Sequence, residues 1–141
     1  MNNKELIFGV DFYDHCYYHK ELYGKEKIKE FLEHCVDSGI TKLLWRTSVC
    51  GKVFYHSKVR TVYDGADNRE GSARASEVLR RFDPLEYAVD QGHRLGLKIY
   101  GWITIFDEYG VPGQESEFSR QHPEYSWVNR DGKRHFKGTT Q

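Results

Sequence analysis

The stretch Asp83 to Glu108, DPLEYAVDQGHRLGLKIYGWITIFDE, decides the fold because it reads as one helix followed by one strand. Asp83 is a favourable N-cap, and Pro84 suits the first helical position. Gly96 predicts a left-handed stop, so we expect the helix to run over roughly 84–95. From Leu97 to Phe106 the chain is apolar without alternation, which predicts a strand covered on both faces.

An earlier part of the chain repeats this pattern. Gly39 to Trp45 (GITKLLW) and Gly96 to Trp102 (GLKIYGW) each run from a helix-ending glycine to a tryptophan in the same number of steps. An apolar stripe at helical spacing over 28–36 precedes the first copy, and Leu6 to Phe12 is a further candidate strand. Strands that alternate with helices predict parallel βαβ units. We therefore predict an α/β fold and a single domain over residues 1–141.

Two regions fall outside this repeat. Thr47 to Phe82 is far longer than an ordinary βα loop, so we expect it to cover the carboxyl end of the second strand. Within it we predict short extended pieces over 53–63 and a helical turn over 76–81. Asp131-Gly132 between apolar residues predicts a β-hairpin of the primed-turn kind near the C-terminus.

Composition narrows the classes of partner. Lys+Arg and Asp+Glu both number 21, so we predict no nucleic-acid partner and no anionic membrane surface. The aromatic content of 15% fits either an aromatic core or a surface that stacks on sugar rings. The three cysteines form no CxxC pair, and no segment resembles a signal peptide or a membrane span, so we expect a cytoplasmic chain.

Polar side chains follow each predicted strand. Because the carboxyl ends of parallel strands meet at one edge of a sheet, we expect these side chains to form a binding site there. Carboxylates and phenols can contact several sugar hydroxyls at once. An arginine at a strand end usually pairs with a carboxylate, and for Arg46 we favour Asp11 or Asp107 over a substrate acid. Asp107 and Glu108 are adjacent in a strand and point in opposite directions, so they do not form a catalytic pair.

Other chemistry finds less support. His15, Cys16 and His19 lie near two acids, but the segment reads as a loop and no further ligand stands at a telling spacing. We therefore predict no metal site. The chain also lacks the G-x-G-x-x-G motif of dinucleotide sites, so we predict no cofactor. It lacks the G-x-S-x-G motif of serine hydrolases as well.

Two blocks resemble the family 10-like glycoside hydrolases. The first comprises Asp83 to Val89, His93 to Leu97 and Trp102, and the second comprises His122 to Tyr125, Trp127 and Asp131 to Lys133. The resemblance implies a (β/α)8 barrel that cleaves glycosidic bonds in an oligosaccharide or polysaccharide held across the carboxyl ends of its strands. By position, it implies these substrate-binding residues: Asp11, Tyr13, Arg46, Trp102, Phe106, Asp107 and Glu108.

A barrel of that kind needs about 250 residues, so the resemblance implies a partial TIM barrel of about the first three βα units. Its two catalytic carboxylates are expected on strands four and seven, so the resemblance implies that this chain lacks the catalytic pair, and we assign no catalytic residue in it. Ile105-Phe106-Asp107 stands where the family tends to have Asn-Pro-Tyr. Open sheet edges favour association with a second copy. Two alternatives stay open: a metal-dependent barrel hydrolase or isomerase, and a non-catalytic carbohydrate-binding fragment.

Overall fold

The computed structural model describes residues 5–105, 112–125 and 128–133 of this α/β protein. Two sheets lie in this part of the chain, a parallel sheet of three strands and a small antiparallel pair. The elements, in chain order, are β1 (Ile7–Val10), α1 (Phe12–Tyr18), α2 (Lys25–Asp37), β2 (Lys42–Arg46), β3 (Ser48–Val49), β4 (Lys52–Val53), α3 (Ser72–Arg81), α4 (Pro84–Arg94), β5 (Lys98–Trp102), α5 (Glu117–Gln121) and a 3-10 turn (Pro123–Tyr125).

The main sheet has the order β1, β2, β5, and both strand pairs are parallel. In the register of β2, Trp45 lies between Val10 and Gly101, and Arg46 lies beside Trp102. This arrangement confirms the predicted parallel strands. Parallel neighbours need a crossover that returns to the same end of the sheet, and the helices between the strands provide it.

The repeated glycine-to-tryptophan pattern places its two tryptophans on opposite faces of the sheet. Gly39 lies three residues before β2, whereas Gly96 lies two residues before β5. Because side chains alternate along a strand, this offset of one residue reverses the face. Trp45 is 0% exposed on the helix-covered face, and Trp102 is 43% exposed on the other.

The prediction of a strand buried on both faces is wrong for β5. The helices cover one face of the sheet, where Val10, Leu43 and Trp45 belong to the core. No described element covers the opposite face, which we call the open face. Its large apolar side chains are Ile7, Leu44, Tyr100 and Trp102. An unbroken apolar run is typical of a covered strand, but it does not show which element supplies the second cover.

Helix α4 follows the prediction closely. The Asp83 carboxylate accepts hydrogen bonds from the backbone N–H groups of Leu85 at 2.9 Å and Glu86 at 3.1 Å. Gly96 has a φ of +79°, the left-handed conformation that glycine adopts at low cost. The cap and the glycine therefore fix both ends of the helix.

Two helices differ from the predictions. α1 occupies Phe12–Tyr18, where we expected the end of a strand followed by a loop. Phe12, Tyr13 and Cys16 turn inward from it, so core packing stabilises a segment without a side-chain N-cap. α3 begins at Ser72, four residues before the predicted turn.

The turn near the C-terminus is present, but it is not of the primed kind. Gly132 donates its backbone N–H to Asn129 O at 2.9 Å and has a φ of +79°. Within the described residues the non-glycine positions with positive φ are Cys50 and Asn68, so Asp131 does not adopt the primed geometry. The predicted flanking residues Trp127, His135 and Phe136 lie outside the described residues.

None of the helices in residues 5–105, 112–125 and 128–133 is both long and apolar enough to cross a membrane.

Candidate functional site at the carboxyl ends of the strands

The carboxyl ends of β1, β2 and β5 bring together five side chains that we call the carboxyl rim: Asp11, Arg46, Ser48, Trp102 and Thr104. Asp11 directly follows β1, and Arg46 and Trp102 end β2 and β5. The parallel register places them at one edge, as the sequence predicted for Asp11, Arg46 and Trp102. The charged pair is partly exposed, with about a quarter of each side chain accessible.

Arg46 is the centre of the carboxyl rim. Its Nη1 donates to Asp11 Oδ2 at 2.5 Å, and its Nε donates to Thr104 Oγ1 at 3.3 Å. The guanidinium carbon lies 6.0 Å from the centroid of the Trp102 ring. The predicted pairing of Arg46 with an internal carboxylate is therefore confirmed for Asp11. A guanidinium held at two nitrogens has little rotamer freedom left to lose on binding a ligand.

Trp102 retains exposed surface for a ligand, whereas Asp11 has one buried oxygen without a partner in the described part of the chain. The Trp102 ring reaches across the open face, so that a Cβ added at Gly9 would lie 3.9 Å from Cζ3 of the indole. One carboxylate oxygen, Asp11 Oδ1, is buried and has no hydrogen-bond partner among the described residues. A buried oxygen without a partner costs free energy, so this position lowers the stability of the fold.

Thr104 is the rim residue that sequence reasoning missed, because it sits in an apolar run that was assigned to the strand. Its hydroxyl lies 2.9 Å from Ser48 Oγ, and its backbone N–H donates to the same Ser48 oxygen at 3.2 Å. Thr47 donates its backbone N–H to Trp102 O at 2.9 Å, so β2 and β5 remain joined past their ends. A hydroxyl side chain near the carboxyl end of the predicted strand was the available signal.

Tyr13 lies in a different group of side chains, the Asp67 hub, which comprises Tyr13, Tyr63, Asp67, Arg69, Ser72 and Gln114. The hub joins α1, the segment after β4, the start of α3 and the segment before α5. It lies in the long connection that we expected over the carboxyl end of β2. The buried Tyr13 hydroxyl forms its hydrogen bonds within the hub, with Tyr63 and Arg69, and not with the side chains of the carboxyl rim.

Four side chains of the Asp67 hub form a chain of hydrogen bonds in which each donates to the next, in the order Arg69, Tyr13, Tyr63 and Asp67. Arg69 Nη2 donates to the Tyr13 hydroxyl at 2.9 Å, and the Tyr63 hydroxyl donates to Asp67 Oδ1 at 3.0 Å. The single hydroxyl proton of Tyr63 is donated to Asp67. Tyr13 is therefore the donor in the 3.3 Å contact between the two phenols. Burial raises the pKa of Tyr13, which keeps this donor neutral.

Asp67 is the acceptor at which the hub converges. Its side chain is 0% exposed, and it accepts hydrogen bonds from Tyr63, Arg69, Ser72 and Gln114. Burial alone would raise the pKa of Asp67, but the hydrogen bonds from Ser72, Gln114, Tyr63 and Arg69 outweigh it and leave that pKa below its usual value. Asp67 is therefore held as a buried, fully partnered carboxylate.

The histidines considered for a metal site have other roles. His15 Nδ1 lies 3.3 Å from the Tyr23 hydroxyl, and burial lowers the pKa of His15. His19 Nδ1 lies 3.1 Å from Glu21 O. In the part of the chain that the structure describes, no group of three His, Cys, Asp or Glu side chains is placed to hold a metal ion. The described residues therefore give no support to the metal-dependent alternative.

The last three predicted site residues, Phe106, Asp107 and Glu108, lie outside the described residues. Their role at the carboxyl rim stays a prediction.

Comparisons with known proteins give limited similarity. No family profile matches the sequence, and no curated protein matches it. Among solved structures, an α-amylase from Lactobacillus plantarum is 17% identical with a TM-score of 0.48, over 92% of this chain and 28% of that one. A noncanonic maltogenic α-amylase, AmyB from Thermotoga neapolitana, is 14% identical with a TM-score of 0.49, over 94% of this chain and 30% of that one. The chain thus spans less than a third of either protein, and similarity at this level establishes neither a family nor an activity.

Proposed function

We propose that this chain binds a saccharide at the carboxyl rim and forms the amino-terminal part of a glycoside hydrolase-like barrel. The observation that carries the proposal is the Asp11–Arg46 ion pair beside the exposed Trp102 ring, at the carboxyl edge of a parallel sheet. A sugar ring presents apolar C–H faces and a belt of hydroxyls. An indole and a fixed guanidinium–carboxylate pair complement those two features.

Each rim group has a separate part in this proposal. Trp102 offers an apolar surface for one face of a pyranose ring. Arg46 donates to sugar oxygens from a guanidinium positioned by Asp11 and Thr104. Asp11 orients that guanidinium through Oδ2, and its buried Oδ1 does not contact the sugar in this proposal. Phe106, Asp107 and Glu108 would extend the same surface.

Hydrolysis needs two carboxylates about 5 to 9 Å apart around the scissile bond. We propose that a longer protein supplies this pair on further strands and that this chain supplies binding contacts. A non-catalytic carbohydrate-binding role uses the same contacts and differs only in having no such pair. The assignment to the family 10-like proteins in particular stays a prediction from the two sequence blocks.

Isothermal titration calorimetry with neutral hexasaccharides of different linkage tests this proposal. We expect at least one of maltohexaose, cellohexaose and xylohexaose to bind, and Arg46→Lys to weaken that binding by about tenfold because lysine has no planar fork. Arg81→Lys is the matched control, since Arg81 is exposed and pairs only with Glu77 among the described residues.

If none of the three sugars binds the wild-type chain, or if Arg46→Lys binds as tightly as Arg81→Lys, the carboxyl rim is not a saccharide site.

A further inference from the structure

A second set of aromatic side chains lies on α5 and the 3-10 turn after it. We call Phe118, His122 and Tyr125 the α5 aromatic face. Phe118 lies on α5, His122 directly follows it, and Tyr125 lies on the 3-10 turn, and contacts between the rings bring all three together. Phe118 and Tyr125 are nearly parallel, at 11° and with centroids 5.8 Å apart, and the His122 ring lies 4.8 Å from Phe118. These rings therefore form one continuous aromatic surface.

This surface is exposed although it is large and apolar. Phe118 is 57% exposed and Tyr125 is 72% exposed. Most aromatic side chains of the described residues instead lie within the core or against it, as Phe12, Trp45 and Phe54 do. Exposed apolar surface of this kind in a folded protein often marks a binding site.

Local contacts hold the α5 aromatic face in place. Glu124 Oε1 lies 3.0 Å from His122 Nδ1, which fixes the orientation of the imidazole. Ser116 caps α5 by accepting from the Ser119 backbone N–H at 3.0 Å. The backbone N–H of Glu117 donates to Thr61 Oγ1 at 3.2 Å, which ties α5 to the preceding connection. Binding to a surface that is already ordered costs less conformational entropy.

A groove adjoins this face. It has a volume of about 450 Å³ and is lined by residues 59–61 and 116–118, with Phe118 common to the groove and the aromatic face. This volume lies within the range of small-ligand clefts, about 300–1,000 Å³. Val59 adds apolar lining, and Arg60 adds a donor for hydroxyls. Glu117 already accepts from Arg120 and Gln121, and each of its carboxylate oxygens can accept a further hydrogen bond.

We propose that the α5 aromatic face and this groove form a second saccharide site, which binds a neutral pyranose chain. The rings would stack on the apolar face of one sugar unit, while Arg60 and Glu117 contact the hydroxyls of the next unit in the groove. Charge favours a neutral ligand, because the carboxylates of Glu117 in the groove and Glu124 beside the aromatic face would repel a phosphate backbone. This site uses none of the residues of the carboxyl rim, so it goes beyond the function proposed above.

Chemical-shift mapping of the 15N-labelled 141-residue chain tests this site. We expect maltohexaose, cellohexaose or xylohexaose to shift amide signals over 59–61 and 116–125. The double variant Phe118→Ala/Tyr125→Ala should remove these shifts and leave any shifts near Arg46 and Trp102 unchanged. Phe118→Tyr keeps an aromatic ring and should retain them. Tyr18→Ala, which removes an exposed ring on α1, is the control for general loss of surface aromatics.

The two proposed sites fail separately in this experiment. Shifts confined to the carboxyl rim would overturn the α5 site alone, and shifts confined to 59–61 and 116–125 would overturn the rim alone. If the double variant keeps its shifts, the rings do not bind the sugar. If the face is instead a protein interface, these amides shift with protein concentration in the absence of sugar, and the double variant abolishes that change.

Discussion

The carboxyl rim and the Asp67 hub are built from the same kinds of side chain, yet they use them differently. Each pairs an aspartate with an arginine and adds hydroxyls and aromatic rings. In the hub, Asp67 has no exposed surface and meets a donor at both oxygens. In the rim, the pair is partly exposed, and Asp11 Oδ1 lacks a partner among the described residues.

This difference separates a structural polar network from a candidate binding site. A buried network in which every group is satisfied stabilises one arrangement of the segments that it joins. The rim instead combines a partly exposed ion pair with a buried oxygen that has no partner among the described residues, an arrangement that lowers stability and that proteins tolerate mainly at functional sites. We therefore infer that the Asp67 hub stabilises the long connection, and the binding role of the carboxyl rim remains our proposal. The same change made in both regions should give opposite patterns of effect.

The largest expected effect on stability is at Asp67. Asp67→Asn replaces an acceptor with an amide that confronts the donors Arg69 and Gln114, so we expect the free energy of unfolding to fall by about 3 kcal/mol or more. The matched change Asp11→Asn acts on a partly exposed ion pair and should cost about 1 kcal/mol or less. Urea denaturation followed by circular dichroism measures both. Equal losses at the two sites would remove the distinction between hub and rim.

The space around Gly71, beside the hub, and around Gly9, on the open face, gives a second contrast between a closely packed region and an exposed one. A Cβ at Gly71, beside the hub, would lie 2.3 Å from Tyr17 O, and the Gly71 backbone has ordinary right-handed angles. Gly71→Ala should therefore lower the free energy of unfolding through overpacking, by about 1 to 3 kcal/mol. Gly9, on the open face, has Trp102 as its nearest neighbour at 3.9 Å. Gly9→Ala should raise the free energy of unfolding slightly, by about 0.4 to 1 kcal/mol, because the unfolded chain loses conformational freedom.

Thermal melts of the two glycine variants at equal concentration make this comparison. A larger loss for Gly9→Ala than for Gly71→Ala would show that the open face is more closely packed than its exposure indicates.

The smallest of these effects is a dependence of stability on pH. The pKa of Asp67 is lowered in the folded chain, so its contribution is present above the unfolded value of about 3.9 and is lost as pH falls through the folded value. Asp67→Asn should reduce the loss of stability on acidification below about pH 4. Urea midpoints over this pH range measure the slope. An unchanged slope in the variant would mean that other carboxylates dominate acid unfolding.

Local sequence signals predicted much of the arrangement of helices and strands. Asp83, Pro84 and Gly96 act over a few residues, so the sequence alone placed the bounds of α4. The parallel order of β1, β2 and β5 followed from the alternation of strands and helices. The pairing of Arg46 with Asp11 followed in turn, because parallel strands bring their carboxyl ends together.

The remaining features depend on contacts between distant residues. Helix α1 is short and has no side-chain cap, and it is stabilised by rings from elsewhere, such as Trp45, whose centroid lies 4.7 Å from that of Phe12. Tyr13 joins Arg69, 56 positions away, which no local pattern reveals. The exposure of β5 likewise depends on what lies over the sheet, and an apolar run does not contain that information.

The affinity of Trp102→Ala for an oligosaccharide tests the central claim most directly. The measurement is calorimetric titration with the hexasaccharide that binds the wild-type chain most tightly, beside Tyr18→Ala as an exposed aromatic control. We predict that Trp102→Ala weakens binding by about tenfold or more, while it lowers the free energy of unfolding far less than Asp67→Asn does. Wild-type affinity in Trp102→Ala, with binding intact in Tyr18→Ala, would contradict the assignment of the carboxyl rim as the saccharide site.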